Sequence, residues 1–340
     1  MLSMIQPSFR RVTEEQKKSL LVSLIMLVDC IPTPPLKQKH IRGRPNFYHD
    51  RLFLKALIIM IVRNLHKVHE LLSVLELPTP EMLELRILLS QDGHFPSRRT
   101  WERRLKAIPE CLPAQIACLG RYLVQLINPW EHIGRAVAID STLLRANGGV
   151  WHQKHREQGV IPHTSIDTQA HWKKSGHHGW VYGWKLHIVC TVAGVWIPLA
   201  AYLTPANEDD GKVAPKLLVM LPNDTRFVLG DSHYNVDDVR QLCVYPWRIL
   251  IASGGGKYPH TDIGVEVRRI FHKLRHSAIE NFNEQFKGIF DVHGQVPTKG
   301  LVNTSRFALG AIFVYQIALL YRFQNNMSLR IGLKAFLKAA

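Results

Sequence analysis

Cysteine is sparse in this chain and has no useful spacing. Cys30, Cys111, Cys118, Cys190 and Cys243 are scattered and odd in number, and the nearest pair, Cys111 and Cys118, is too far apart for a zinc motif. That excludes a disulfide framework and a cysteine-based metal site, and marks the five as reduced, mostly buried thiols. Membrane-length apolar runs are missing too. Leu52–Val62 is short and interrupted by Lys55, and Phe307–Tyr321 is uncharged but contains Gln316 and falls short of the roughly 20 residues needed to span. Both read as buried core helices, and no transmembrane segment is expected. The opening Met1-Leu2-Ser3-Met4-Ile5-Gln6 lacks the basic stretch and apolar core of a secretory signal, so a cytoplasmic protein is expected. There are no internal repeats and no long low-complexity tract. Acid is the scarcer charge: 27 Asp+Glu stand against 43 Lys+Arg, a formal net charge of +16 with 18 histidines besides. Such a surplus favours a polyanionic partner through counterion release.

Three of those few acids sit in telling places. Asp140 follows the apolar run Ala136-Val137-Ala138-Ile139, Asp231 follows Phe227-Val228-Leu229-Gly230, and Glu280 lies within the helical stretch Ser277–Phe282. A carboxylate at the end of a buried strand is costly unless something positive compensates it. Two such strand ends plus one helix-borne Glu is a layout suited to a pair of oxygen-liganded divalent ions, Mg²⁺ or Mn²⁺, about 4 Å apart.

The chain divides by texture. Residues 1–130 read as an all-α N-terminal region, with helical periodicity in Leu20–Val28, Leu52–Leu65 and Ile116–Ile127 and Pro-rich breaks at Ile31–Pro35 and Leu77–Pro80. Two basic patches interrupt it, Lys37–Arg44 and Pro96–Arg104. In the second, Ser97 suits an N-cap, and a helix, a Gly-containing turn and a helix opening with arginines fit either a helix-turn-helix or a solvated basic face. Strands begin after Asn128-Pro129-Trp130. They are Ala136–Asp140, then Gly183–Val192 turning at Ala193-Gly194 into Val195–Tyr202, then Arg226–Gly230 and Arg248–Ala252, with helices at Asp210–Leu221, Val236–Leu242, Thr261–Phe290 and Ser305–Gln324. This predicts an α/β domain over 131–327, a mixed five-stranded sheet flanked by helices, and a basic tail over 328–340. The polar stretch Trp151–Trp180, with few apolar anchors, reads as a mobile loop that orders on DNA. A zinc site built from its histidines (His152, His155, His163, His171, His177, His178) lacks cysteine partners and paired helical spacing.

Periodicity tests the Glu280 helix. Ile279, Phe282, Phe286 and Ile289 form an apolar stripe, with His276, Glu280, Asn283, Glu284 and Lys287 beside it. Lys287 is almost two turns beyond Glu280 and projects from the same face. Glu284 shares that face and is the competing acid.

Over roughly residues 135–325 the chain resembles the DDE transposases of bacterial insertion sequences, whose catalytic domain has the RNase-H-like, retroviral-integrase fold. The resemblance rests on Ala138-Ile139-Asp140-Ser141-Thr142, Gly183-Trp184-Lys185-Leu186-His187, Thr204-Pro205-Ala206-Asn207-Glu208-Asp209-Asp210, Leu229-Gly230-Asp231-Ser232-His233-Tyr234, and Ser277-Ala278-Ile279-Glu280 followed by Lys287. It implies that Asp140, Asp231 and Glu280 hold two Mg²⁺ or Mn²⁺ ions and that Lys287 holds a DNA phosphate. It also implies that the protein binds the ends of a mobile element, hydrolyses the phosphodiester there and joins the freed 3′ end to target DNA, with no covalent protein–DNA intermediate through Tyr234, Tyr258 or Ser141. Double-stranded DNA is the implied partner, bound by a homodimer or higher oligomer; the element's ends would be bound by the N-terminal helical region, where the basic patch makes Arg98, Arg99, Arg103 and Arg104 the leading candidates. The family usually places Arg four residues before the glutamate and Tyr three before that; here those positions hold His276 and Lys273, and His276 is expected to meet a phosphate instead. Asp210 stands where relatives often have an acid, in a supporting role. The alternatives are a metal-dependent nuclease on the same scaffold that cuts without joining, and a non-catalytic transposase-derived DNA-binding protein.

Overall fold

The computed structural model describes residues 19–34, 47–127, 135–176, 179–252 and 262–340. The Lys37–Arg44 patch, the Asn128–Trp130 break, His177, His178 and Tyr258 lie outside them.

The N-terminal third is helical: α1 (Leu20–Cys30), α2 (Asp50–Val62), α3 (Val68–Leu75), α4 (Pro80–Leu88), α5 (Arg98–Ala107) and α6 (Leu112–Ile127). Short polar side chains start three of these. Ser19 accepts from the Val22 N–H, Thr79 from Met82 with Pro80 in the first turn, and Ser97 from Thr100. Each cap meets one of the N–H groups that a helix start leaves without an internal partner.

Then follow β1 (Ala136–Arg145), a short α7 (Gln153–Glu157), β2 (His171–Ser175), β3 (Gly179–Thr191), β4 (Pro198–Pro205), α8 (Asp210–Leu218), β5 (Phe227–Gly230), α9 (Asp237–Val244) and β6 (Ile249–Ala252). α10 (Asp262–Arg275), a π-turn (His276–Glu280), α11 (Asn281–Ile289), α12 (Leu301–Gln324) and α13 (Leu333–Lys338) complete the chain. β3 lies between β1 and β4, antiparallel to both, while β1, β5 and β6 run parallel. The order β4-β3-β1-β5-β6 makes the expected five-stranded mixed sheet, flanked by helices. The anticipated β3–β4 hairpin turns at Gly194, whose φ of 65° is a left-handed conformation that glycine adopts without strain.

A sixth strand was not expected. β2 pairs with the outer part of β3, from His171↔Gly183 to Ser175↔Gly179, and β4 takes the inner part of the same edge. The stretch from Trp151 to Trp180 is therefore not the loop that its polarity suggests. Ile166, Asp167 and Ala170 are buried, Asp167 Oδ2 accepts the Gly300 N–H at 2.8 Å, and Gln169 Oε1 accepts Leu301 N–H at 2.8 Å. Polar side chains capping the start of α12 replace the missing apolar anchors.

α12 is the core helix. By length and composition it could cross a membrane, but here it is mostly buried inside the protein. It packs against α6, β4 and α2, so its apolar residues contribute about 1.5–3 kcal/mol each by leaving water. Gln316, fully buried, donates to the carbonyls of Ile116 (2.9 Å) and Pro198 (2.8 Å). Gly120 permits that approach, since a Cβ there would lie 2.4 Å from the Pro198 carbonyl. The N-terminal helices and the sheet thus share one apolar core.

Candidate active site

Strand register brings the two aspartates together. β1 and β5 pair as Ala136↔Phe227, Val137↔Val228 and Ala138↔Leu229, and the same offset carried two residues further sets Asp140 level with Asp231. Asp231 follows β5 as expected. Asp140, in contrast, does not end its strand, because β1 continues to Arg145 by pairing with β3 after its pairing with β5 has stopped. Burial pushes the Asp140 carboxyl up to about 6. Arg275 and the Ser141 N–H oppose that rise, and Asp231 and Asp210 add to it through their charges. The Asp231 side chain, about one-third exposed, accepts the His233 N–H at 2.9 Å.

The glutamate arrives on a helix that is not regular. α10 and α11 are joined through the π-turn, in which each hydrogen bond spans five residues rather than four. Residues five apart are thereby brought onto one face, and Arg275 reaches Glu280 Oε1 at 3.6 Å and Asp140 Oδ2 at 3.4 Å. His276 Nε2 lies 3.0 Å from the other glutamate oxygen. Arg275 is a functional candidate that sequence reasoning missed. The usual arginine position falls on His276, and one extra residue in the helix, taken up by the π-turn, supplies the guanidinium from the neighbouring position. The legible signal was an arginine one residue out of phase.

The apolar stripe is as expected: Ile279, Phe282, Phe286 and Ile289 are buried. The polar stripe divides. Asn283 is buried and its Oδ1 finds no partner among the described residues, while Glu284 is exposed and 4.0 Å from His293. Lys287 is half-buried, and desolvation lowers its pKa against the opposing charge of Glu284.

Behind Asp140, on the opposite face of the sheet, a second charged group is sealed in. Asp210, at the start of α8, accepts from Lys185 Nζ at 3.0 Å and lies 3.2 Å from His187 Nδ1. His187 Nε2 is 2.9 Å from Thr204 Oγ1, and Lys185 also donates to the Glu208 carbonyl at 2.6 Å. Burial alone would raise the Asp210 pKa; His187 and Lys185 outweigh it and hold this carboxyl well below the ordinary range. Through Lys185 and His187 Asp210 thus ties α8 to β3, and His187 carries the link on to β4, beneath the aspartate pair. The Tyr234 phenol is fully buried, and desolvation followed by the charges of Asp210, Asp140 and Asp231 drives its pKa well up, which suits packing rather than attack.

The four arginines of α5 are not equivalent. Arg98 pairs with Glu102 on the surface, and Arg99 and Arg103 are exposed. Arg104 is largely buried: it pairs with Asp50 and lies over the Phe53 ring, 4.5 Å from its centroid. Its guanidinium serves the helical core.

Residues 131–317, more than half of the chain, match the family described as Transposase DDE domain. The chain belongs to this DDE transposase family. No curated protein matches this transposase at a significant level. Solved structures similar to it include a piggyBac transposase synaptic complex with hairpin DNA, at 9% identity and a TM-score of 0.38, covering 94% of this chain and 76% of that one. A Mos1 transposase paired-end complex with the left transposon end is 13% identical, with a TM-score of 0.22, covering 85% of this chain and 80% of that one.

Among the described residues of the transposase no cluster of three or more acids, histidines or cysteines is assembled as a metal cage. Its donor chemistry fits a hard divalent cation nonetheless. Every candidate ligand is a carboxylate, Asp140 is desolvated, and the cation between Asp140 and Glu280 is the guanidinium of Arg275.

Proposed function

We propose that this transposase binds the ends of a mobile element, cleaves DNA there by metal-dependent phosphodiester hydrolysis and joins the 3′ ends to target DNA. The observation that carries the reading is the meeting of Asp140 and Glu280 on one arginine, beside a strand whose register sets Asp231 level with Asp140. Asp140, Asp231 and Glu280 would hold Mg²⁺ or Mn²⁺, and when bound a pair of such ions supplies charge stabilisation at the attacking and leaving oxygens of a displacement.

The remaining roles fall to the chain's own groups. Arg275 must leave at least one carboxylate for a cation to enter, and it then becomes a donor for a DNA phosphate; arginine suits this because its planar fork matches phosphate oxygens. His276, now on Glu280, is a second phosphate donor once that contact opens. Lys287, on the Glu280 face of α11, positions the scissile phosphate from its half-buried place. The Asp210 network fixes the strands that carry Asp140, and Arg98, Arg99 and Arg103 offer exposed charge for the element's ends. No side chain is needed as a nucleophile. The working unit on DNA is a homodimer or a higher oligomer.

The test is an assay of purified full-length chain with DNA carrying both ends of its element, plus Mg²⁺ or Mn²⁺, scored for cleaved and for joined products. Both products are expected, and Asp140→Asn, Asp231→Asn and Glu280→Gln should each remove both while DNA binding persists. Activity retained by Glu280→Gln and lost in Glu284→Gln would overturn the choice of glutamate. Cleavage without joining would make the protein a nuclease on this scaffold.

A further inference from the structure

β3 is longer than the sheet requires. From Gly183 inwards it pairs with β1, but its first residues, beginning at Gly179, extend past the end of β1, where β2 is their strand partner. The two strands form an arm whose sidedness is fixed by alternation. Asp140 stands opposite Ile188, and Leu144 stands opposite Trp184. Directly paired residues share a face, as do alternate residues along a strand, so Trp184, Tyr182 and Trp180 all lie on the Asp140 side. Lys174 is the direct partner of Trp180 and shares that side.

The base of the arm is fixed and its outer end is not covered. Trp172 and Tyr182 pack with ring centroids 5.2 Å apart, Trp172 Nε1 donates to the Trp151 carbonyl at 2.7 Å, and Tyr182 Oη donates to the Asp167 carbonyl at 2.6 Å. One pair further out, Trp180 is 63% exposed and Lys174 is exposed beside it. On a Trp side chain that exposure leaves on the order of 100 Å² of mainly apolar surface in water, next to a cation. Charge points the same way: residues 151–180, which lead into the arm, hold Lys154, Arg156, Lys173 and Lys174 against Glu157 and the buried Asp167.

We propose that the outer end of the β2–β3 arm is a contact for duplex DNA. Lys174 meets a backbone phosphate, and Trp180 packs against the sugar and base edges beside it. The occupant is identified by complementarity, since a polyanion with apolar sugar and base surfaces is what an adjacent cation and flat aromatic ring would recognise. From the level of Asp140 to Trp180 is eight residues of β3, about 26 Å. The contact therefore falls about 8 base pairs from the scissile phosphate, on the duplex that leaves the catalytic face. The proposal rests on the transposase reading above, since it needs DNA to lie on the Asp140 side of the sheet.

The experiment is a salt titration of binding to a non-specific duplex of about 40 base pairs, long enough to pass both the catalytic face and the arm, followed by anisotropy. The full-length chain is compared with Trp180→Ala and Lys174→Ala, each checked for folding by circular dichroism. Two further variants serve as controls. Trp247→Ala removes a Trp that is 86% exposed but lies before β6, at the opposite end of the sheet from Asp231, and Lys212→Ala removes an exposed lysine on α8, on the opposite face. Lys174→Ala should flatten the slope of log affinity against log salt by about one unit. Trp180→Ala should weaken binding roughly tenfold with the slope unchanged. Both controls should match the parent. If the parent binds and both arm variants bind with its affinity and slope, the arm is not a DNA contact, while the transposase reading stands. A parent that does not bind duplex at all would remove that reading first. A change in oligomeric state in Trp180→Ala, seen by sedimentation with DNA binding intact, would assign the ring to a second copy of the chain and overturn the proposal.

Discussion

Replacing Asp140 by Asn should make the metal-free protein more stable while abolishing its chemistry. The carboxyl titrates near 3.8 in an unfolded chain and is pushed up to about 6 in the fold, because burial strips its water and outweighs the attraction of Arg275. Between those two pH values the folded state holds more protons than the unfolded one. The stability linked to this group is therefore fully present below about 3.8, is lost as pH rises, and is gone above about 6. At about 1.4 kcal/mol per pH unit the ionised group costs the fold about 3 kcal/mol at pH 7–8. Asn has nearly the same shape and cannot ionise. Arg275 would keep Glu280, 3.6 Å away. Asp140→Asn should thus gain up to about 3 kcal/mol at pH 7–8 and almost nothing at pH 4. The assay is urea unfolding in EDTA at intervals from pH 4 to pH 8, read as the difference between parent and variant, which cancels other titrating groups. Added Mn²⁺ should stabilise the parent and much less the variant. A difference that is flat with pH, or that has the opposite sign at pH 7, would refute the argument that Asp140 is a desolvated carboxylate awaiting a cation.

Further outcomes follow from the same geometry. Arg275→Met should bind Mn²⁺ at least about tenfold more tightly than the parent in calorimetry, because an opposing cation is removed, with Arg275→Lys in between; equal affinities would mean that Arg275 does not compete for the carboxylates. Arg104→Ala should cost about 1–3 kcal/mol in urea unfolding through loss of the Asp50 pair and the Phe53 stack, whereas Arg99→Ala with Arg103→Ala should leave stability within about 0.5 kcal/mol and reduce affinity for end-containing DNA. Lys287→Met should lower the cleavage rate at saturating DNA far more than it lowers affinity; a loss confined to affinity would remove it from the scissile phosphate.

Much of this was legible in the residues because the relevant spacings are local. Apolar runs mark β1, β5 and β6, an Ala-Gly turn marks the β3–β4 hairpin, and the Ile279–Ile289 stripe marks the buried face of α11. What was not legible depends on partners distant in sequence. β2 and its approach read as a polar loop because their anchors, Gly300 and Leu301, lie more than a hundred residues away. Asp140 read as a strand end because apolar residues stop there, although pairing with β3 carries the strand on to Arg145. The π-turn defeats a periodicity argument outright. A strict 3.6-residue count puts His276 and Glu284 beside Glu280 and misses Arg275, which reaches the site only because the helix widens by one residue. Arg104 looked like its three neighbours in α5 until Asp50 and Phe53, about fifty residues upstream, were seen beneath it.

The most direct measurement is a crystal of the full-length chain soaked in Mn²⁺ and recorded at the manganese absorption edge. Anomalous density among the Asp140, Asp231 and Glu280 carboxylates, with the Arg275 guanidinium moved off at least one of them, is the predicted result. Density elsewhere, or none at saturating Mn²⁺ while Arg275 still joins Asp140 to Glu280, would contradict the account.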